Sequence, residues 1–251
     1  MSANCACSYI AFAFCCNTVS ATGDADEGFD PNSLVDGGDN AWQVTGSGTV
    51  TVTLGEAELI DFVGFSGVSM SAGSTITISS GADVLHTFTI ADCDSCCDDG
   101  VSLYHCLDGF YGVETFTVDF VDAQGGEIRA CSFIASHKMN VEIADNWTIG
   151  VIDPLGQARR SMAGTRKVSC GPKWCEISLR VNYMCPEDKQ TLLAIEKCSG
   201  TAAQMMVVIN PDDECNQNVF LAAPKNLSKF TAQAKFGRFS KPLILEEIKC
   251  C

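Results

Sequence analysis

The chain has 251 residues, 46% of them hydrophobic and only 19% charged, with 22 glycines and a net charge of −15. That is enough chain to bury one large core or two ordinary ones, and the profile suits a β-rich globular protein, not a disordered or coiled-coil one. No run approaches the roughly eighteen apolar residues of a membrane span, and the N-terminal YIAFAFCC lacks the preceding Lys or Arg of a signal peptide, so the expectation is a protein folded in a cytosol.

The charge is unevenly spread. Residues 1–138 carry 19 acids against two bases, Arg129 and Lys138, whereas residues 139–251 carry 12 acids and 14 bases. The step predicts a boundary, with one domain over 1–138 and a second over 139–251. The acidic half excludes nucleic acid as its partner, since phosphate contacts need Lys and Arg. An acidic surface that keeps a crowded assembly soluble fits it better than a dedicated cation site.

Strands dominate the first half. GTVTVTL (48–54) alternates Val50, Val52 and Leu54 with threonines, STITIS (74–79) alternates Ile76 and Ile78, VLHTFTI (84–90) places Val84, His86, Phe88 and Ile90 on one face, and TFTVDFVD (115–122) does the same with Phe116, Val118 and Phe120. Turn clusters lie at 36–40, 71–74, 79–83 and 123–127. Short strands at this spacing predict an antiparallel β-sandwich or jelly roll. In the second half CEISLRVNY (175–183) reads as a long strand with one apolar face. A helix over 186–200 follows, with Pro186 and two acids in its first turn, Lys197 in its last and Gly200 to stop it. Strands are predicted in MMVVIN (205–210), VFLAA (219–223) and KPLILEEI (241–248), so this half reads as a small α+β unit.

No signature of a nucleophile elbow, zinc protease, phosphate loop or dinucleotide fold is present; GFSGV (64–68) ends in Val68 where an elbow needs glycine. His86, His105 and His137 are far apart in sequence, and His86 is expected as a hydrogen-bonded core residue of its strand. Sixteen cysteines are the unusual feature. Cys93, Cys96, Cys97 and Cys106 have knuckle-like spacing, with His105 or an aspartate able to complete a zinc site, and an iron–sulfur cluster is a further option. Against these stand free or buried thiols and scattered disulfides, since a chain of this size needs neither staple nor metal. No cofactor is therefore expected. The vicinal pairs at 15/16, 96/97 and 250/251 have Cα atoms too close to bridge to each other.

The stretch from Gly28 to Gly81 resembles the opening of tail-associated virion proteins of long-tailed bacteriophages. It has an N-x-L turn at Asn32 to Leu34, a Trp42 segment, a strand ending at Leu54-Gly55, an apolar strand at Ile60 to Val63 and a glycine turn at Gly73. The second half resembles the ring-forming core of distal and minor tail proteins through ARRSMAGTRK, CEISLRVNY, CPEDKQTLLAIEKCSG, MMVVINPDD and GRFSKPLILEEI. The resemblance implies a mainly β chain: a galactose-binding-like jelly roll, then a small α+β, tail-tube-like ring domain with one helix.

What it implies for function is a non-enzymatic part of a phage tail tip, assembled in the host cytoplasm. Such a part would form a homo-oligomeric ring between tail tube and terminal hub, with no nucleic acid and no membrane insertion. The basic segment with Arg159, Arg160, Arg166 and Lys167 is the expected intersubunit arm, meeting the acidic half of a neighbour. The alternative is a carbohydrate-binding adhesion module touching a host surface glycan through Trp42, Tyr104 or Tyr111.

Overall fold

The computed structural model describes residues 8–12, 19–36, 41–91, 100–152, 158–160, 166–168, 174–211, 218–233 and 237–248. The protein is mainly β, a jelly-roll sandwich combined with a smaller strand-and-helix unit. In the sandwich, one sheet carries β2 (Val19–Gly23), β4 (Ser47–Val68), β7 (Val101–Val121), β5 (Thr75–Ser80) and β6 (Asp83–Thr89) in that order, with β9 (Ser132–Ser136) pairing β4. A second layer is the pair β3 (Trp42–Thr45) and β8 (Glu127–Ala130), and the single-turn α1 (Ser33–Asp36), against β9 and β2, buries Leu34 in the sandwich core. β4 and β7 extend well beyond the alternating segments that announce them, because bulges between Thr53 and Glu58 and between Ile60 and Phe62 bend the pair and interrupt its period. The core is a run of aromatic rings. Phe65 lies 5.0 Å from Phe133 and 5.7 Å from Phe120, and Trp42 lies 4.5 Å from Phe120.

One carboxylate ties two turns of the sandwich rim. Asp122, buried at the end of β7, accepts from the amides of Ser71, Gln124 and Gly126 and from the hydroxyls of Ser71 and Ser74. Burial alone would raise its pKa, but the Gly126, Ser71 and Gln124 amides and the Ser74 hydroxyl outweigh that and hold it far below the usual carboxylate range.

The second unit is a small barrel. β14 (Trp174–Met184), β10 (Lys138–Ile143), β1 (Ser8–Phe12), β15 (Met205–Val208), β16 (Val219–Pro224) and β18 (Arg238–Glu247) pair in that order, and β18 pairs back to β14. Six strands therefore close on themselves, which removes their open edges. β11 (Thr148–Ile152) continues from β14, and β17 (Thr231–Gln233) from β18. β12 (Ala158–Arg160) and β13 (Arg166–Val168) form a separate hairpin. The inward side chains, among them Ile10, Val141, Leu179, Val207 and Leu245, make one core, into which α2 (Pro186–Ser199) inserts Leu192.

The helix starts where its chemistry predicts. Cys185 takes the N-cap position; its sulfur accepts from the Asp188 amide at 3.4 Å and its thiol donates to the Asp188 carboxylate at 2.8 Å, the reciprocal logic of a capping box. Lys241 of β18, fully buried, fixes the helix: its Nζ lies 2.7 Å from Glu196, donates to the Ser228 carbonyl and sits 4.2 Å above the Phe230 ring.

Residues 8–12 fall within the expected first domain, 1–138, yet β1 pairs β10 and β15 inside the barrel, with Ile10 opposite Met139 and Val207. The sandwich is thus inserted between two neighbouring barrel strands, leaving after Phe12 and returning at Lys138. A five-residue apolar strand cannot announce a partner about 130 positions away. His86 is not a core residue: β6 is a sheet edge, with Phe88 buried but Val84 exposed and His86 half-exposed.

The units meet through a third apolar cluster. Phe62 and Ile134 from the sandwich pack on Ala11, Met206, Val208, Val219 and Leu221 from the barrel's outside. Gly64 makes the approach possible, since a Cβ there would stand 2.8 Å from the Met206 sulfur.

Candidate functional site

The three aromatics expected at a glycan site are not gathered in one place. Trp42 is fully buried against Phe120 and donates its indole N–H to the Asp24 carbonyl at 2.8 Å, so it offers no face to a glycan. Tyr104 is also turned inward; its ring stacks with Phe62 in the junction and its hydroxyl donates to the Pro211 carbonyl at 3.0 Å. Aromatic side chains in alternating strands default to the core, and these two follow that rule. Tyr111 is the most exposed of the three, at 40%.

Arg159 and Arg160 pair with Lys167 and Arg166 across the β12–β13 hairpin, which makes the basic segment a two-stranded element. Cys93, Cys96 and Cys97 lie outside the described residues. Cys106 is on β7 in the junction between the units, its thiol pushed up in pKa chiefly by burial against the opposing pull of Lys138. Among the described residues no group of three metal-ligating side chains converges. Cys131 and Cys198 are each disulfide-bonded. Gly67, at φ 62°, leaves room for the first of these, since a Cβ would come within 2.3 Å of the Cys131 sulfur.

A different constellation lies next to Tyr111 along the chain. Between Ile60 opposite Tyr111 and Phe62 opposite Cys106, the β4–β7 pairing sets one residue, Asp61, against the four residues 107–110. That bulge pushes Phe110 outward, 64% exposed, and Leu59 stands exposed on the neighbouring strand. Asp61 itself is buried. It accepts the Lys138 amide at 2.7 Å, lies 3.2 Å from Nδ1 of His137 and 3.7 Å from Lys138 Nζ. The His137 ring packs on Phe110 with centroids 5.2 Å apart.

With Nδ1 turned to Asp61, the nitrogen left to meet a ligand is Nε2. The patch therefore offers an apolar ring face beside an imidazole and a buried carboxylate. Glu58 borders it, with a pKa raised by burial and by Glu56. Nearby, His105 and His86 stack in parallel at 3.6 Å. His86 is pushed down to about 4 by burial and by His105, while burial lowers His105 against the pull of Asp108. A sequence signal for the patch exists in DGFYG (108–112): adjacent aromatics between glycines, at the point where the strand alternation breaks.

No family model matches the chain, and no curated protein matches it. Solved structures similar to part of it include the family 32 carbohydrate-binding module of NanJ from Clostridium perfringens, in complex with galactose. It is 15% identical over 48% of this chain and 93% of that one, with a TM-score of 0.38. A chitosan-binding module of a Paenibacillus chitosanase/glucanase is 16% identical over 47% and 93%, with a TM-score of 0.36. A further Clostridium perfringens module, in complex with GalNAc-β-1,3-galactose, is 12% identical over 48% and 94%, also at 0.36.

Proposed function

We propose that the protein is a non-catalytic carbohydrate-binding component of an extracellular assembly, and that its sugar site is the Phe110–His137–Asp61 patch. One observation carries this reading: an exposed Phe ring packed on a histidine whose Nδ1 lies 3.2 Å from a buried aspartate. A pyranose presents an apolar C–H face and a rim of hydroxyls, so it needs an aromatic platform beside a few placed polar groups. Phe110 supplies the apolar platform, and His137 Nε2 supplies the polar contact. The disulfides at Cys131 and Cys198 support a working life in an oxidising setting, which suits a virion surface after release. Galactose titration followed by NMR tests the site. Phe110→Ala, an exposed change that leaves the fold intact, is expected to weaken binding about tenfold, near the loss of one stacked ring. A chain that binds no galactose, glucose or amino sugar, or a variant that binds as the parent does, overturns it.

The structural reading, a ring joining tail tube to hub, keeps a supporting observation of its own. Among the described residues β11 is an open edge of the barrel sheet, and it carries exposed Ile149 and Val151, the latter 67% exposed. Such an edge is a template for pairing with another copy, and a closed ring would cover it. Val151→Lys is then expected to shift sedimentation toward the monomer, and a parent chain that stays monomeric at high concentration removes the ring.

A further inference from the structure

A second site lies on the barrel, independent of the sugar patch. The β10–β14 pairing runs through Ile143 opposite Val181 and Glu142 opposite Asn182, and is not continued at Tyr183. On its other side β14 is bulged against β18 between Val181 and Met184. The bulge turns Met184 into the barrel core and Tyr183 outward, 52% exposed. Between the parted strands is a cavity of about 190 Å³ bordered by Asn140, Glu142, Asn182, Tyr183 and, from the first turn of α2, Asp188.

Tyr183 is held there against its own backbone preference. Its φ is 51°, the left-handed region, where among the described residues every other positive φ belongs to glycine. A bulky aromatic in that region is strained, whereas Gly or Asn is at ease. Strain of this kind collects where a side chain is held for contact.

The cavity's chemistry selects the ligand. It is bordered by Glu142, Asp188, Asn140, Asn182 and Tyr183 together with the apolar Val141, Val181 and Met184 and, among the described residues, by no lysine or arginine. Carboxylates and amide carbonyls accept from N–H donors, and the face of an aromatic ring attracts a cation. At roughly 30 Å³ per water the volume takes about six non-hydrogen atoms, the size of the end of a lysine side chain. We propose that this cleft binds an alkylammonium group, with Glu142 and Asp188 supplying the charge and Tyr183 the ring.

The test titrates the full chain with n-butylammonium and, in parallel, with n-butanol, following amide shifts at 140–142 and 182–184 by NMR. Saturable shifts with the cation and none with the alcohol are expected. Glu142→Gln and Tyr183→Asn should each weaken binding about fivefold, in line with one ion contact or one ring. Tyr183→Asn should also raise the thermal midpoint by a few degrees, because asparagine is at ease at this φ. That rise separates loss of the ring from loss of fold. Absence of saturable shifts, equal response to butanol, or unchanged affinity in both variants overturns the site. None of these outcomes bears on galactose binding at Phe110.

Discussion

The sandwich and the barrel solve the same packing problem with different side chains. The sandwich core is built on Trp42, Phe65, Phe116, Phe120 and Phe133, rigid rings in edge or tilted contact. The barrel interior relies on aliphatics and methionines, with Met139, Met184 and Met205 among them, and closes with one buried ion pair. Rings fix geometry at many contacts each; methionine fills irregular space and tolerates change. The difference teaches where each unit is brittle. The sandwich breaks when a ring is removed, and the barrel breaks when a charge loses its partner.

The largest effect should come from the ring at the centre. Phe65 touches Phe88, Phe120 and Phe133 at once, so Phe65→Ala is expected to cost about 4 kcal/mol, the cavity cost of a buried Phe. Met205→Leu in the barrel, a change that conserves volume, should cost less than about 1.5 kcal/mol. Urea melts of the two variants compare the units directly, and equal losses would end the contrast.

The ion pair comes next. Glu196→Gln leaves Lys241 buried without its counter-charge, and a loss of about 3 kcal/mol is expected. Lys241→Met combined with Glu196→Leu removes both charges and should recover most of that loss. If the double variant melts as low as the single one, the pair is not what anchors α2.

Much of this contrast was legible beforehand, and what was missed has a common cause. Alternation located the strands around Val50, Ile76, Phe116 and Ile177, and Pro186 with Gly200 bounded the helix correctly. These are local signals, read within one turn or one pleat. The insertion of the sandwich between Phe12 and Lys138 was invisible because β1 finds its partners only through closure of the barrel. The candidate patch was illegible for the same reason. Composition gives no sign that Trp42 is buried, and Phe110 is exposed at a bulge that only the pairing with β4 creates. His137 and Asp61 are 76 positions apart in sequence and meet because β9 runs beside β4.

A third break lies at the sandwich rim. Asp122→Asn places an amide where several donors converge on a carboxylate, and a cost of about 2 kcal/mol is expected at neutral pH. The sign with pH follows from the depressed folded pKa: the carboxylate's contribution is complete above the ordinary value of 3.8 and is lost as pH falls through the lower folded one. The gap between parent and variant should therefore narrow below pH 3.8 in urea melts, and a constant gap would show that the amides read shape and not charge.

The smallest effect belongs to the stacked imidazoles. His86 has a folded pKa of about 4 against 6.5 when unfolded, through burial and then the neighbouring His105. Between those values the unfolded chain binds more protons than the folded one, so stability rises with pH across that window and is fully recovered above it. Both rings are half-exposed, and solvent screening keeps the effect small. His86→Phe keeps a ring against His105 but removes the proton. It should flatten the decline in urea midpoint between pH 6.5 and 4, leaving the part contributed by His105, which Asp108 and Lys138 pull in opposite directions. A variant whose midpoint falls as steeply as the parent's would show that the His86 proton does not cause the acid sensitivity, and would leave it to His105 across the stack.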